Sequence, residues 1–413
     1  LGLSIADLST LDRALVVGSF LRKDHPLFAS RLRQAAKRGA QISAIGAAND
    51  DWLLTVANRV TVAPSAWLQA LADVAAAIAA QTGATAPVQG QATDAARAVA
   101  ASLLSGDRKA VLLGNAAAQH PQASGLQALA QWIAEQTGAK LGFLTESANT
   151  VGAQLVGAQP QNGGFNAGQM LSGNGLKAVL LLNVEPELDA ANPAAARAAL
   201  AGAEMVVAMS AFKTAAMDYA DVLLPVAPFS ETSGTFVNAE GRAQSFHGVV
   251  KPLGDTRPAW KVLRVLGNLL SVDGFEFETS EEVRSRALGD IAALGARLNN
   301  QTQAAVAFAG QTGGLERLSD VPIYSADALV RRAESLQQTA DAAAPVASLP
   351  QALWAELGLS DGAQVKVSQD GGSAVLPAVL DASLPANVVR VPAGHAATST
   401  LGAMFGAIRV EKA

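Results

Sequence analysis

Short apolar runs of strand length alternate along the chain with longer stretches whose apolar residues recur every three or four positions. Residues 14–17 are an unbroken apolar run. Residues 26–38 then carry Leu27, Phe28, Leu32 and Ala35 at helical spacing, and Gly39 stands where a C-terminal cap is expected. Residues 41–45 return to a strand pattern, which makes a βαβ unit with a right-handed crossover. The alternation recurs, with strands at 110–113, 178–182, 205–208 and 221–224 and helices at 124–136 and 194–200. Strands that are apolar throughout, rather than at every second position, belong to a mostly parallel sheet with helices on both faces.

Breaks in this pattern divide the chain. Residues 83–91 are rich in Gly, Pro, Thr and Gln and read as a linker between two α/β lobes, 1–90 and 91–275. Residues 276–347 are more polar, with helical patterns and a second linker from 338. Residues 348–413 hold short β-type runs at 365–367, 375–379, 388–391 and 407–410, separated by Gly and Pro as in a small barrel. Pro377 implies an edge or bulge position within its run. Gly163-Gly164 and Gly173-Asn174-Gly175 read as loops. The stretch ETSGTFVNAEGRAQ, residues 231–244, reads as a hairpin turning at Asn238–Gly241. There Asn238 can bond its own backbone and Gly241 can take a positive φ. Glu240 and Arg242 could pair across the turn, worth about 0–1 kcal/mol if exposed.

Composition narrows the chemistry. The 413 residues are 50% hydrophobic and 16% charged, with a net charge of −5 and no cysteine. A cysteine-ligated iron–sulfur cluster, a disulfide and a thiol nucleophile are therefore excluded from this chain. Nothing resembles the basic stripe of a nucleic-acid binder, and no apolar run approaches the ~20 residues that span a bilayer. G-x-G-x-x-G, Walker A and G-x-S-x-G patterns are absent. The four histidines, His25, His120, His247 and His395, have no second ligand at metal-binding spacing and read as structural. The chain opens at Leu1 directly into the helix–strand pattern, as a piece of a longer protein would.

One linked set of motifs goes further. Asp218-Tyr-Ala-Asp221-Val-Leu-Leu-Pro225 precedes the hairpin, and Gly254-Asp-Thr-Arg257-Pro258-Ala-Trp260 follows it. In this order the set resembles the molybdopterin oxidoreductase superfamily. Leu357-Gly358-Leu-Ser-Asp361-Gly362-Ala-Gln-Val365 is similar to the opening of that superfamily's C-terminal double-psi barrel. The fold implied is α/β, with two Rossmann-like parallel-sheet lobes and a small C-terminal β-barrel. Within the superfamily the chain looks most like the C-terminal part of the large peripheral-arm iron–sulfur subunit of NADH–quinone oxidoreductase, respiratory complex I. That finer likeness rests on Glu185-Pro186-Glu187-x-Asp189, Ala148-Asn149-Thr-Val-Gly152-Ala153 and Arg22-Lys-Asp-His25-Pro26-Leu.

The departures shape what the resemblance implies. Gly18 is followed by Ser19-Phe20-Leu21 where the superfamily's Gly-x-Asn-Pro is expected, and Asn183-Val184-Glu185 stands at the second such place. A carboxylate facing a pyrophosphate would repel it. The resemblance then implies a vestigial cavity, no cofactor in this chain and no catalytic residue. The 2Fe-2S and 4Fe-4S clusters would lie upstream in the full-length protein. It implies a structural role on the cytoplasmic side of the bacterial inner membrane, as part of the complex that couples NADH-to-quinone electron transfer to proton translocation. The partners would be the other peripheral-arm subunits and the N-terminal part of the same polypeptide, with no nucleic acid and no direct membrane insertion. The alternative is a divergent molybdopterin-dependent oxidoreductase domain, with Gly234, Asn238 and Arg242 lining the dinucleotide groove.

Overall fold

The computed structural model describes residues 1–173, 175–308 and 313–413; Asn174, in the second glycine loop, lies outside the described residues. Five strands form a parallel sheet: β1 (Arg13–Val17), β2 (Gln41–Gly46), β3 (Val56–Thr61), β4 (Lys109–Leu113) and β5 (Lys140–Phe143), in the order β3-β2-β1-β4-β5. The residues from Ala14 to Val17 and from Ala110 to Leu113 are all buried, as continuous apolar runs demand. The helices are α1 (Leu21–Asp24), α2 (Pro26–Lys37), α3 (Trp67–Thr82), α4 (Asp94–Leu104), α5 (Asn115–Ala118) and α6 (Ala123–Thr137). They cover the sheet and build its two cores.

This sheet corrects the boundary expected at residue 90. β1 pairs in register with β4, Val17 opposite Leu113, so both flanks of the supposed linker belong to one lobe. Residues 83–91 join α3 to α4. α3 is hidden in the sequence because it is alanine-rich and apolar on nearly every face, which leaves little periodicity to detect. Gly83, at φ +76°, ends it in a left-handed cap.

The second lobe carries a smaller parallel sheet, β6 (Ala178–Leu182), β7 (Met205–Ser210) and β8 (Val222–Pro225), in that order. The hairpin follows as β9 (Gly234–Val237) and β10 (Ala243–Phe246). Then come β11 (Glu316–Leu318), β12 (Ala347–Leu349), β13 (Gln364–Gln369), β14 (Gly372–Leu380), β15 (Val388–Arg390), β16 (Gly406–Ala407) and β17 (Arg409–Lys412). They form one nearly closed sheet in the order β16-β11-β15-β12-β14-β13-β17. The expected α/β fold with a C-terminal barrel is thus present, and the barrel also recruits β11 from the segment read as helical. Pro377 sits opposite Gln364 of β13, one residue before pairing with β12 begins at Ala378. Its missing N–H therefore interrupts no ladder. Among the described residues no helix is long and apolar enough to cross a membrane.

The barrel is docked on the first lobe. Glu316 of β11 accepts bonds from the Ser65 amide (3.0 Å) and hydroxyl (2.5 Å), and Met404 and Phe405 join the core around Trp67. His120 stacks on Trp67 with ring centroids 5.4 Å apart, and its Nε2 lies 3.0 Å from the Pro64 carbonyl. That is a structural role, as its sequence context implied.

Candidate functional site

In open α/β sheets ligands bind outside the carboxyl ends of the strands, where the strand order reverses. In the first lobe that point lies between β1 and β4. Here the chain closes on itself. The Gly114 amide donates to Val17 O (2.9 Å) and the Ala117 amide to Gly18 O (3.1 Å). Gly18 adopts φ +57°, and a Cβ there would lie 2.7 Å from the Ala117 nitrogen. The remaining cavity, about 20 Å³, is bounded by Ser19, Phe20, Asp50 and Leu318 of the barrel. It is the size of a water molecule, not of a dinucleotide.

A charged cluster roofs this point. The Arg390 guanidinium lies 2.7 Å from Asp50, 3.2 Å from Asp320 and 4.6 Å from the centre of the Phe20 ring. Burial disfavours its charge, yet Asp320 and Asp50 hold it above the usual guanidinium range. Asp24 lies close by; burial and the neighbouring charge of Asp320 push its carboxyl up to about 7. His25 is driven down to about 4 by burial, with Asn115 opposing. The favourable effect of Asn115 does not amount to a formed bond, since His25 Nε2 and Asn115 Oδ1 both remain unpartnered, as do Ser19 Oγ and Ser319 Oγ.

The raised Asp24 sets a pH dependence. An unfolded aspartate titrates near 3.8, whereas the folded chain keeps this proton to about 7. Stability contributed here therefore falls as pH climbs through that window and levels off above it. Asp24→Asn is expected to remove this slope and to raise stability above pH 7 by a few kcal/mol at most. Denaturant melts of both chains at pH 5 and pH 8 check it. An equal difference at the two pH values contradicts the assignment.

The carboxyl end of β6 is also covered. Asn183 turns at φ +51° and delivers Glu185 inward. Glu185 pairs with Arg331 (2.8 Å) and Arg332 (2.7 Å), Arg331 also bonds Asp189, and Arg332 lies over the Phe212 ring. Burial opposes the charge of Glu185, but the two guanidiniums keep its carboxyl below the usual range. The residue expected to repel a phosphate is already neutralised by the chain itself.

Space for a larger ligand exists elsewhere. A cleft of about 990 Å³ opens between the carboxyl end of β5 and the hairpin turn. Its walls include Phe143, Leu144, Thr150, Leu155, Arg242 and Arg297. Asn238 Oδ1 accepts from the amides of Glu240 (3.2 Å) and Arg242 (2.9 Å), and Gly241 takes φ +88°, so the turn is built as its sequence implied. Glu240 is not the exposed partner expected: its side chain is 16% exposed and also accepts from the Ile5 amide at 2.7 Å. Of the three residues singled out, Arg242 alone lines this cleft. Asn238 spends its side-chain oxygen on the turn, and Gly234 lies at the far end of the hairpin under the Phe246 ring.

Arg297 was not legible in the sequence. Its guanidinium donates to the carbonyls of Leu288 (2.8 Å) and Leu155 and meets no carboxylate among the described residues. The cleft's two carboxylates are already engaged, Glu240 by Arg242 and Ile5, and Glu146 by Gln119 at 3.0 Å. In volume, and in a guanidinium that no carboxylate neutralises among the described residues, the cleft has room and charge for the phosphate-bearing part of a dinucleotide. The described residues offer no group of three His, Cys, Asp or Glu that could hold a metal, so the chain's own donors fit a cofactor's anionic part and not its metal.

Comparisons with known proteins bear on this directly. A Staphylococcus aureus (strain MRSA252) protein described as "Putative formate dehydrogenase" is 42% identical over 77 residues, 19% of this chain and 8% of that protein. A second, from strain USA300 and described alike, is 39% identical over the same length and shares. The matched stretch thus spans under a tenth of these relatives. Acetylene hydratase from Pelobacter acetylenicus shares the fold with a TM-score of 0.70 over 99% of this chain and 81% of its own, at 13% identity. These proteins are not complex I components, so the finer likeness to the complex I iron–sulfur subunit draws no support from them. A family model described as molybdopterin oxidoreductase matches residues 1–269. This overturns the expectation of a chain without a cofactor, because the family is one that uses molybdopterin. With nearly two thirds of its length matched by that model, the chain belongs to the molybdopterin oxidoreductase family.

Proposed function

We propose that this chain is part of a molybdopterin-dependent oxidoreductase and holds an anionic pterin cofactor in the cleft between β5 and the hairpin. The observation that carries the reading is Arg297, without a carboxylate partner among the described residues, in a cleft of about 990 Å³ that Arg242 also lines. An anionic phosphate is drawn to a guanidinium that no carboxylate neutralises, and it can accept charge-assisted bonds from the donors Arg297 has left. When bound, such a cofactor supplies the redox chemistry. The chain contributes binding, orientation and electrostatics. Arg297 is fixed by two carbonyls, so little side-chain freedom is lost when an anion arrives. Formate is the substrate named in the relatives' descriptions, and a small one-carbon acid is the substrate class this reading favours.

Arg297→Ala and Arg242→Ala test the placement. Each should lower the pterin retained through purification about tenfold or more, the worth of one charge-assisted bond. Melting temperatures should change little for Arg242→Ala, whose side chain is 70% exposed. Retention equal to that of the parent chain in both variants would place the cofactor elsewhere.

A further inference from the structure

The first lobe has a second opening at the other end of its sheet. Arg13, the first residue of β1, stands opposite Gln41 of β2 and Lys109 of β4. The chain just before these three strands therefore meets in one place, and there it encloses a hollow of about 280 Å³. Its walls include Ser9, Thr10, Asp12, Arg13, Arg38 and Arg108. None of them lines the cleft or the small cavity at the carboxyl ends.

Three guanidiniums thus share a hollow with one carboxylate, and that carboxylate is already occupied. Asp12 accepts from Arg108 Nη2 (2.8 Å) and from the amides of Arg108 (3.0 Å) and Asp107 (3.2 Å). The Arg108 side chain first, and these amides after it, hold its carboxyl well below the usual range. No other acid lines the hollow among the described residues. Arg13 is fixed by uncharged acceptors: Nε donates to Ser105 Oγ (2.9 Å) and Nη1 to Asp12 O (2.7 Å). Its Nη2 bonds nothing among the described residues and is not buried, so its donors are open to solvent. Arg38 is exposed and makes one long bond, from Nη1 to Ser9 O at 3.5 Å. The ends of α2 and α4 border the hollow at Arg38 and Ser105. Their dipoles add about half a negative charge each, so three positive charges less one carboxylate and two such halves leave about one.

We infer that this hollow binds a phosphate group, as inorganic phosphate or as a phosphomonoester. The planar guanidinium matches phosphate oxygens in forked bonds, and Arg13 and Arg38 have donors that no carboxylate takes. Arg13 is held in place before the anion arrives, so little side-chain freedom is lost on binding. At about 280 Å³ the hollow is smaller than the roughly 300 Å³ at which pockets for drug-sized ligands begin, which suits a phosphoryl group. The site is independent of the proposed cofactor, and the failure of either leaves the other standing.

Titration calorimetry of the full chain with inorganic phosphate and with glycerol 3-phosphate, at constant ionic strength, tests this, with hydrogen exchange locating the site. Phosphate should slow exchange at residues 38–41 and 106–109, and chloride should not. Arg38→Ala should weaken the binding about tenfold, the worth of one charge-assisted bond. It should leave the melting temperature without phosphate unchanged, since only the long bond to Ser9 is lost. Arg38→Lys should restore part of the affinity. Equal affinity in Arg38→Ala, protection confined to the cleft, or equal protection by chloride would each overturn the inference. Binding to phosphatidic acid vesicles, with none to inorganic phosphate or glycerol 3-phosphate, would overturn it in favour of a membrane surface.

Discussion

Arg317→Leu is expected to destabilise the C-terminal barrel by about 4 kcal/mol. Arg317 is 1% exposed, and burial pulls its guanidinium down to about 10, which still leaves it charged at neutral pH. No carboxylate pairs with it among the described residues. Instead it donates to five acceptors: Val391 O (3.3 Å), Gln369 Oε1 (3.0 Å), Gly402 O (3.1 Å), Ala403 O (3.3 Å) and Pro392 O (3.2 Å). These come from β13, the end of β15 and the turn before β16, so one side chain ties three parts of the barrel. Leucine would leave all five acceptors buried without that donor. At about 1–3 kcal/mol per unpaired group, not fully additive, the loss should reach about 4 kcal/mol. Arg317→Lys keeps the charge but not the planar fork and should recover only part of it. Denaturant unfolding followed by circular dichroism measures this. A loss below about 1 kcal/mol for the leucine variant would show that the guanidinium is not the organising group. The effect should spread, because the turn held by Arg317 leads into Met404 and Phe405, which pack with Trp67 of the first lobe.

Gly241→Val should be the second largest loss, at about 3 kcal/mol. Gly241 sits at φ +88°, which a β-branched residue adopts only under strain. Its new Cβ would also lie 2.2 Å from Leu298 Cδ1. Because Leu298 can swing away, backbone strain forms the larger part of the loss, and Gly241→Ala should cost about half as much. The turn is fastened to the start of the chain through Leu1 N to Ala239 O (2.6 Å) and Ile5 N to Glu240 (2.7 Å). The variant should therefore also loosen the wall of the cleft that holds Arg242. Thermal melts of the two variants, with limited proteolysis near residue 241, provide the readout. Equal and near-zero shifts would contradict the turn geometry.

Much of this fold was legible because continuous apolar runs can hardly be anything but covered strands. β1, β2 and β4 announce themselves in that way; β6 and β7 are equally apolar in sequence, yet β6 has no buried residue and Leu180 is 45% exposed. The hairpin was legible for a different reason, since Asn238 and Gly241 are each chosen for what the backbone does there. β3 was hidden because Val56–Thr61 includes Asn58 and Arg59 and is only half-buried at the sheet edge. The lobe boundary was misread because a Gly- and Pro-rich stretch marks any exposed crossover, within a lobe as readily as between lobes. The site was less legible still. Arg242 stood out through its motif, whereas Arg297 lies about 55 residues away in a polar stretch and meets it only through the fold. Glu185 illustrates the same limit. Its charge could be read from the sequence, but not that Arg331 and Arg332, nearly 150 residues later, neutralise it.

Everything proposed for the cleft requires that this chain hold a molybdopterin-type cofactor. The most direct measurement is the molybdenum, tungsten and pterin content of the full chain, purified from a host that synthesises the cofactor. Metals are read by elemental mass spectrometry and pterin by fluorescence after oxidative release. Near-stoichiometric pterin together with one of the two metals is the expected result. A correctly folded chain carrying neither would contradict it.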